Sequence, residues 1–149
     1  MFQMVTTDKI DENDRKIIEI LSSNARTSLR DIKKKVDLSP SSIRNRMERL
    51  VSIGVIKKYT VDVDYRKIGY DIQVLALITS KPSESDTLCQ TLSKYNEICE
   101  VHRTSGPANF ICMVRVRNIS ELTKFITSEL EKLSGVERIE TMFVLPQDE

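Results

Sequence analysis

The stretch Leu38-Ser39-Pro40-Ser41-Ser42-Ile43-Arg44-Asn45-Arg46-Met47-Glu48-Arg49-Leu50 decides how the N-terminal half of this chain folds. Ser39 followed by Pro40 is a helix start. The serine oxygen accepts an otherwise orphaned N–H of the first turn, and proline suits the first helical position. Ile43, Met47, Leu50 and Ile53 then recur at i, i+4, i+7 and i+10, which makes one apolar face, and Gly54 ends the run. That division assigns Ser42, Asn45, Arg46 and Arg49 to the opposite face, with Ser41 and Arg44 at its margins.

Two shorter helical patterns precede this one. Asp11 and Asp14 stand at the start of the first, where the helix dipole favours negative charge. Ile17, Ile18 and Leu21 supply its apolar stripe, and Ser22-Ser23-Asn24 closes it. Ser28 caps the second, with Leu29, Ile32 and Val36 inward and Lys33, Lys34 and Lys35 outward. A short connection, Asp37-Leu38, leads to the third helix. A helix, a tight turn and a serine-capped helix with a donor-rich outer face spell a helix-turn-helix.

Residue chemistry on that face suits double-stranded DNA. Arginine pairs with a guanine edge, asparagine with an adenine edge, and a helix N-terminus offers N–H groups to a phosphate. The expected DNA contacts are therefore Ser39, Ser41, Ser42, Arg44, Asn45, Arg46 and Arg49. Arg26, Lys34 and Lys57, with their basic neighbours, would add phosphate contacts that bring affinity without sequence preference. The charge distribution agrees. The whole chain carries a formal net charge of +1, yet residues 24–60 hold 10 basic against 3 acidic side chains. A solvated amphipathic helix of a bundle would show the same outer face, but not the serine-proline start, the short turn and the basic flank together.

After Gly54 the period changes. Residues 55–64 alternate apolar and polar and predict an extended strand, a wing; residues 66–70 predict a turn. The expected organisation is a helix-turn-helix over 1–54, a wing and hinge over 55–70, and a second domain over 71–149. That last part alternates strand (72–79), helix (85–95), strand (98–104), strand (109–116), helix from a Ser120 cap, and strand (136–145). The order βαββαβ is the ferredoxin-like split unit, so the fold class is α+β. Such an architecture hosts many functions and names none by itself.

Other classes find little support among the 149 residues. No apolar run approaches the ~18 residues of a membrane helix. The first eight residues contain no apolar signal-peptide core, so a cytoplasmic location is expected. Cys89, Cys99 and Cys112 lack C-x-x-C spacing and argue against both a disulfide framework and a metal site. His102 is the single histidine, no glycine-rich phosphate loop occurs, and no catalytic constellation is legible, so neither enzymatic activity nor a cofactor is expected.

The segments 10–18 (IDENDRKII), 38–50 (LSPSSIRNRMERL) and 54–56 (GVI) resemble the Lrp/AsnC, or leucine-responsive and feast/famine, transcriptional regulators. The likeness continues through Asp64-Tyr65-Arg66-Lys67-Ile68-Gly69-Tyr70 and the βαββαβ half. The resemblance implies a regulator whose C-terminal domain makes a homodimer that assembles to an octamer. It also implies an amino-acid effector bound near the turn between the second and third strands, here Thr104, Ser105, Gly106, Pro107, Ala108, Asn109 and Phe110. His102, Ser120 and Thr141 are further candidates. Members often carry Gly-x-x-Asp where this chain has Gly106-Pro107-Ala108-Asn109, which replaces an acceptor for a ligand ammonium with a neutral amide. An ordinary hairpin turn would also use glycine and proline here. A chromatin-like, non-specific DNA binder without effector control is the alternative function.

Overall fold

The computed structural model describes residues 10–146. The N-terminal eight residues read above for a leader segment lie outside the described ones. The chain divides between Asp62 and Val63 into two units.

In the first unit, helix α1 spans Glu12–Ser23, α2 Leu29–Lys33 and α3 Pro40–Ser52. Each begins with a side-chain cap: Asp11 accepts from the Asp14 N–H, Ser28 from Asp31, and Ser39 from Ser42. Ile17, Leu21, Ile32, Val36 and Ile43 form the buried centre, with Met47 and Ile56 packed against it. Gly54, at φ +76°, supplies the left-handed residue that ends α3. The strand expected over residues 55–64 is corrected: that segment carries no strand pairing in this structure. Alternation predicted extension there, but a strand also needs a ladder partner, and none of the described residues supplies one.

The second unit opens with a 3-10 turn, Tyr65–Ile68, and then β1 (Ile72–Ser80), α4 (Ser85–Leu92), β2 (Ile98–Arg103), β3 (Phe110–Val116), α5 (Ile119–Lys124) and β4 (Val136–Phe143). The four strands pair antiparallel in the order β2-β3-β1-β4. Val74, Ala76 and Ile78 of β1 and Phe110, Cys112 and Val114 of β3 are fully buried, and Leu88, Leu92, Leu122, Phe125 and Leu130 of the helical segments complete that core. The intervening positions Leu75, Leu77, Ile111 and Met113 are half-buried and point to the other face by strand alternation. The cap of α5 is corrected from Ser120 to Asn118, whose Oδ1 accepts the Glu121 N–H at 2.8 Å. The helix then loosens through a π turn at Phe125–Glu129 and a 3-10 turn at Leu130–Lys132. Gly135 follows at φ +88°; a Cβ there would sit 2.7 Å from the Glu84 Cβ, so the close approach requires glycine.

Candidate nucleic-acid interface and effector region

The seat of α3 is both apolar and ionic. Ile43 and Leu50 are fully buried beneath it. Beside them lies Asp14, a carboxylate with 0% exposure. Asp11 and Asp14 form a reciprocal capping box: the Asp11 N–H donates to Asp14 Oδ2 at 3.0 Å and the Asp14 N–H donates to Asp11 Oδ1 at 2.9 Å. Arg46 Nη1 donates to Asp11 Oδ2 at 2.6 Å and to Asp14 Oδ1 at 2.9 Å. Arg49 Nη2 donates to Asp14 Oδ2, which thus accepts from both Arg49 and the Asp11 N–H. Burial pushes the Asp14 carboxyl up, but the Asp11 N–H and the two guanidinium groups outweigh it and hold the group below its ordinary range. The Asp14 N–H and then Arg46 lower Asp11 likewise, and Asp11 raises Arg46 in return.

This clamp engages Arg46 and Arg49, two of the expected DNA contacts, with Asp11 and Asp14. Both arginines are half-buried on the flank of α3 that meets the start of α1. Counted at about 100° per residue, Arg46 stands about 60° from Ile43, whereas Ser41, Asn45 and Glu48 stand within about 40° of the point opposite it. Arg44 stands about 80° and Arg49 about 60° from that point, on its two sides, so the angle centres the outward stripe on Ser41, Asn45 and Glu48, and Arg44 joins them by its exposure. Ser42 is half-buried, and its N–H is taken by the Ser39 cap. Ser39 Oγ also lies 3.1 Å from Ser41 Oγ, which binds the first turn together. Glu48 was missed by sequence reading, and the helical angle was the signal that would have found it. The basic flank is exposed at Arg26, Lys33, Lys35 and Lys57, while Lys34 pairs with Asp31 at 2.6 Å.

In the second unit the predicted effector residues do not gather into one site within the chain. The turn between β2 and β3 is stitched to the end of β1. The Asn109 N–H donates to the Ile78 carbonyl at 2.9 Å, the Thr104 N–H donates to the Asn109 carbonyl at 2.9 Å, and the Ser80 N–H donates to Asn109 Oδ1 at 2.7 Å. Thr104 Oγ1 donates to the Ala108 carbonyl at 2.5 Å. Asn109 thus spends its side-chain oxygen on the fold. Ala108 and Phe110 are buried core residues, so the turn exposes only Ser105, Gly106 and Pro107. His102 stands on exposed β2, 3.1 Å from Glu100. Thr141 is exposed on edge strand β4, opposite Ala76. Ser120 follows the far end of β3, a strand length of about 20 Å from the turn. Ser80, not anticipated, keeps a buried hydroxyl with no partner among the described residues. The described residues hold no group of three or more potential metal ligands and no helix long and apolar enough to cross a membrane.

A three-helix unit that seats one polar-faced helix on two others, ahead of a βαββαβ unit, defines a helix-turn-helix DNA-binding protein with an accessory α/β domain. Residues 10–57 match the winged helix-turn-helix DNA-binding family, and residues 73–147 match the Lrp/AsnC ligand binding domain. The regulator FL11 of Pyrococcus furiosus is 38% identical over 136 residues, 91% of this chain and 89% of that one. The regulator LrpA of Pyrococcus horikoshii is 28% identical over 87% of this chain and 92% of its own. Among solved structures, AsnC of E. coli aligns at a TM-score of 0.82 with 28% identity, covering 93% of each chain. A Neisseria meningitidis transcriptional regulator solved with L-Met aligns at 0.84 with 19% identity, covering 93% of this chain and 92% of that one, and shares the fold. The chain belongs to the Lrp/AsnC family and is a DNA-binding transcriptional regulator with a ligand-binding domain.

Proposed function

We propose that this regulator reads duplex DNA through Ser41, Arg44 and Asn45 on the outward stripe of α3, with Arg26, Lys33, Lys35 and Lys57 on phosphates. It acts in the cytoplasm as a homo-oligomer, a dimer that assembles further to an octamer, and catalyses no reaction. Its effector is a small molecule, an amino acid, held near the exposed part of the 104–109 turn. One observation carries the DNA reading: α3 is fixed by a buried apolar face and an ionic clamp, so its exposed stripe has no use inside the fold. The half-buried apolar face of the sheet, with Leu75, Leu77, Ile111 and Met113, supports pairing with a second copy. The L-Met held by the Neisseria relative supports an amino-acid effector.

Selection of bound sequences from a randomised duplex library tests the reading. Arg44→Ala is expected to lose preference at one base pair, about 1–3 kcal/mol of discrimination. Lys57→Ala is expected to weaken all sequences alike and to reduce the salt slope by about one unit. Unchanged selection by Arg44→Ala removes the stripe from the reading surface. If the wild-type chain enriches no sequence at all, the exposed lysine flank supports the non-specific DNA binder instead. Thermal unfolding with each of the twenty amino acids tests the effector: one that binds the folded state at a hundredfold excess over Kd adds about 2.7 kcal/mol. Twenty flat responses exclude amino-acid sensing.

A further inference from the structure

Folding removes most of the positive charge that α3 shows in sequence. Arg46 and Arg49 are matched by Asp11 and Asp14. On the outward stripe there remain one cation, Arg44, and one anion, Glu48. Glu48 has no hydrogen-bond or ion-pair partner among the described residues; Arg44, one turn before it, does not pair with it. Of the three acidic residues in the basic segment 24–60, Asp31 is bound to Lys34 and Ser28, and Asp37 lies in the connection before α3. Only Glu48 sits on the stripe itself.

A carboxylate on a surface that meets DNA is repelled by the phosphates and by acceptor atoms on the base edges. Guanine presents two acceptors in the major groove, and thymine presents one with a methyl group. Adenine's amino group stands beside the N7 acceptor, while cytosine offers its N4 amino group alone. A carboxylate is acceptor-only when ionised, so cytosine is the base edge that best repays its desolvation. We propose that Glu48 is a specificity-determining residue that selects cytosine at one position of each half-site. It does so by accepting from N4 and by repelling guanine and thymine. Glu48 lies four residues beyond Arg44, about 6 Å along the helix, so this position falls one to two base pairs from the one that Arg44 reads. The inference rests on α3 being the DNA-reading helix.

The test is selection from a randomised duplex library with the full-length protein and with Glu48→Gln, which keeps the side-chain length and removes the charge. Glu48 is exposed and unpaired, so the variant folds; matched thermal unfolding verifies this. The wild type is expected to enrich cytosine about tenfold at one position per half-site. Glu48→Gln is expected to flatten that position, admit adenine there, leave the other positions unchanged, and bind random duplex more tightly. Identical base distributions for the two proteins, or an equal change at every position, would show that Glu48 is only a solvated charge. A wild type that enriches some bases but not this cytosine overturns the Glu48 assignment alone. A wild type that enriches no base at any position overturns the DNA-reading role of α3 as well.

Discussion

The two halves of this molecule hold their working parts in place by different means. The N-terminal unit has few buried apolar side chains and adds a fully buried carboxylate braced by two arginines. The C-terminal unit relies on a larger apolar core and a four-stranded ladder. A ladder sets the register of every strand through its backbone. Three short helices have no such device, and apolar packing alone leaves a helix free to roll on its seat. The Asp14–Arg46–Arg49 clamp is directional, so it fixes the rotation of α3 and hence which residues face outward.

The sharpest break of the contrast comes from the C-terminal core. Phe110→Ala is expected to cost about 3–5 kcal/mol, because it empties a fully buried aromatic site. Hydrogen exchange read by mass spectrometry should show the loss in residues 63–146 and leave 10–62 protected. Equal loss in both units would mean that they unfold together. Asp14→Ala comes next, at about 2–3 kcal/mol, less than for a fully buried pair because both arginines keep contact with water. The same measurement should show that loss in 10–62, together with weaker and less selective DNA binding. Normal sequence selection by Asp14→Ala would show that apolar packing alone orients α3.

Acid sharpens the comparison by smaller steps. Asp11, Asp14 and Asp31, each held below the ordinary carboxylate range, belong to the N-terminal unit. A group with a lowered folded pKa contributes stability that is complete above its unfolded value, about 3.9, and is lost as pH falls through the folded value. Exchange protection of 10–62 should therefore hold at pH 5 and decline below about pH 4. A decline beginning near pH 6 would point to some other group.

The helices were legible because their signals are local. Ser28, Ser39 and Pro40 announce caps, and the 3.6-residue period of Ile17, Ile43 and Leu50 announces buried faces. The βαββαβ order was legible for the same reason, since alternation and breakers mark each element. Three readings needed contacts distant in sequence. Residues 55–64 alternate like a strand but have no partner. Asn109 gives no sign in sequence that the Ser80 N–H, 29 positions away, takes its side-chain oxygen. Arg46 reads as a free cation until Asp11 and Asp14 arrive from 35 and 32 positions away.

Sequence alone determined that this chain is a helix-turn-helix followed by an α/β domain, and that its positive charge gathers in the DNA-reading segment. Those are properties of caps, periods and composition, which need no neighbour. Only the tertiary structure decided which charges remain available. A buried carboxylate must be paired, and its pairing ties Arg46 and Arg49 to the seat of α3, while Arg44, Asn45 and Glu48 stand exposed.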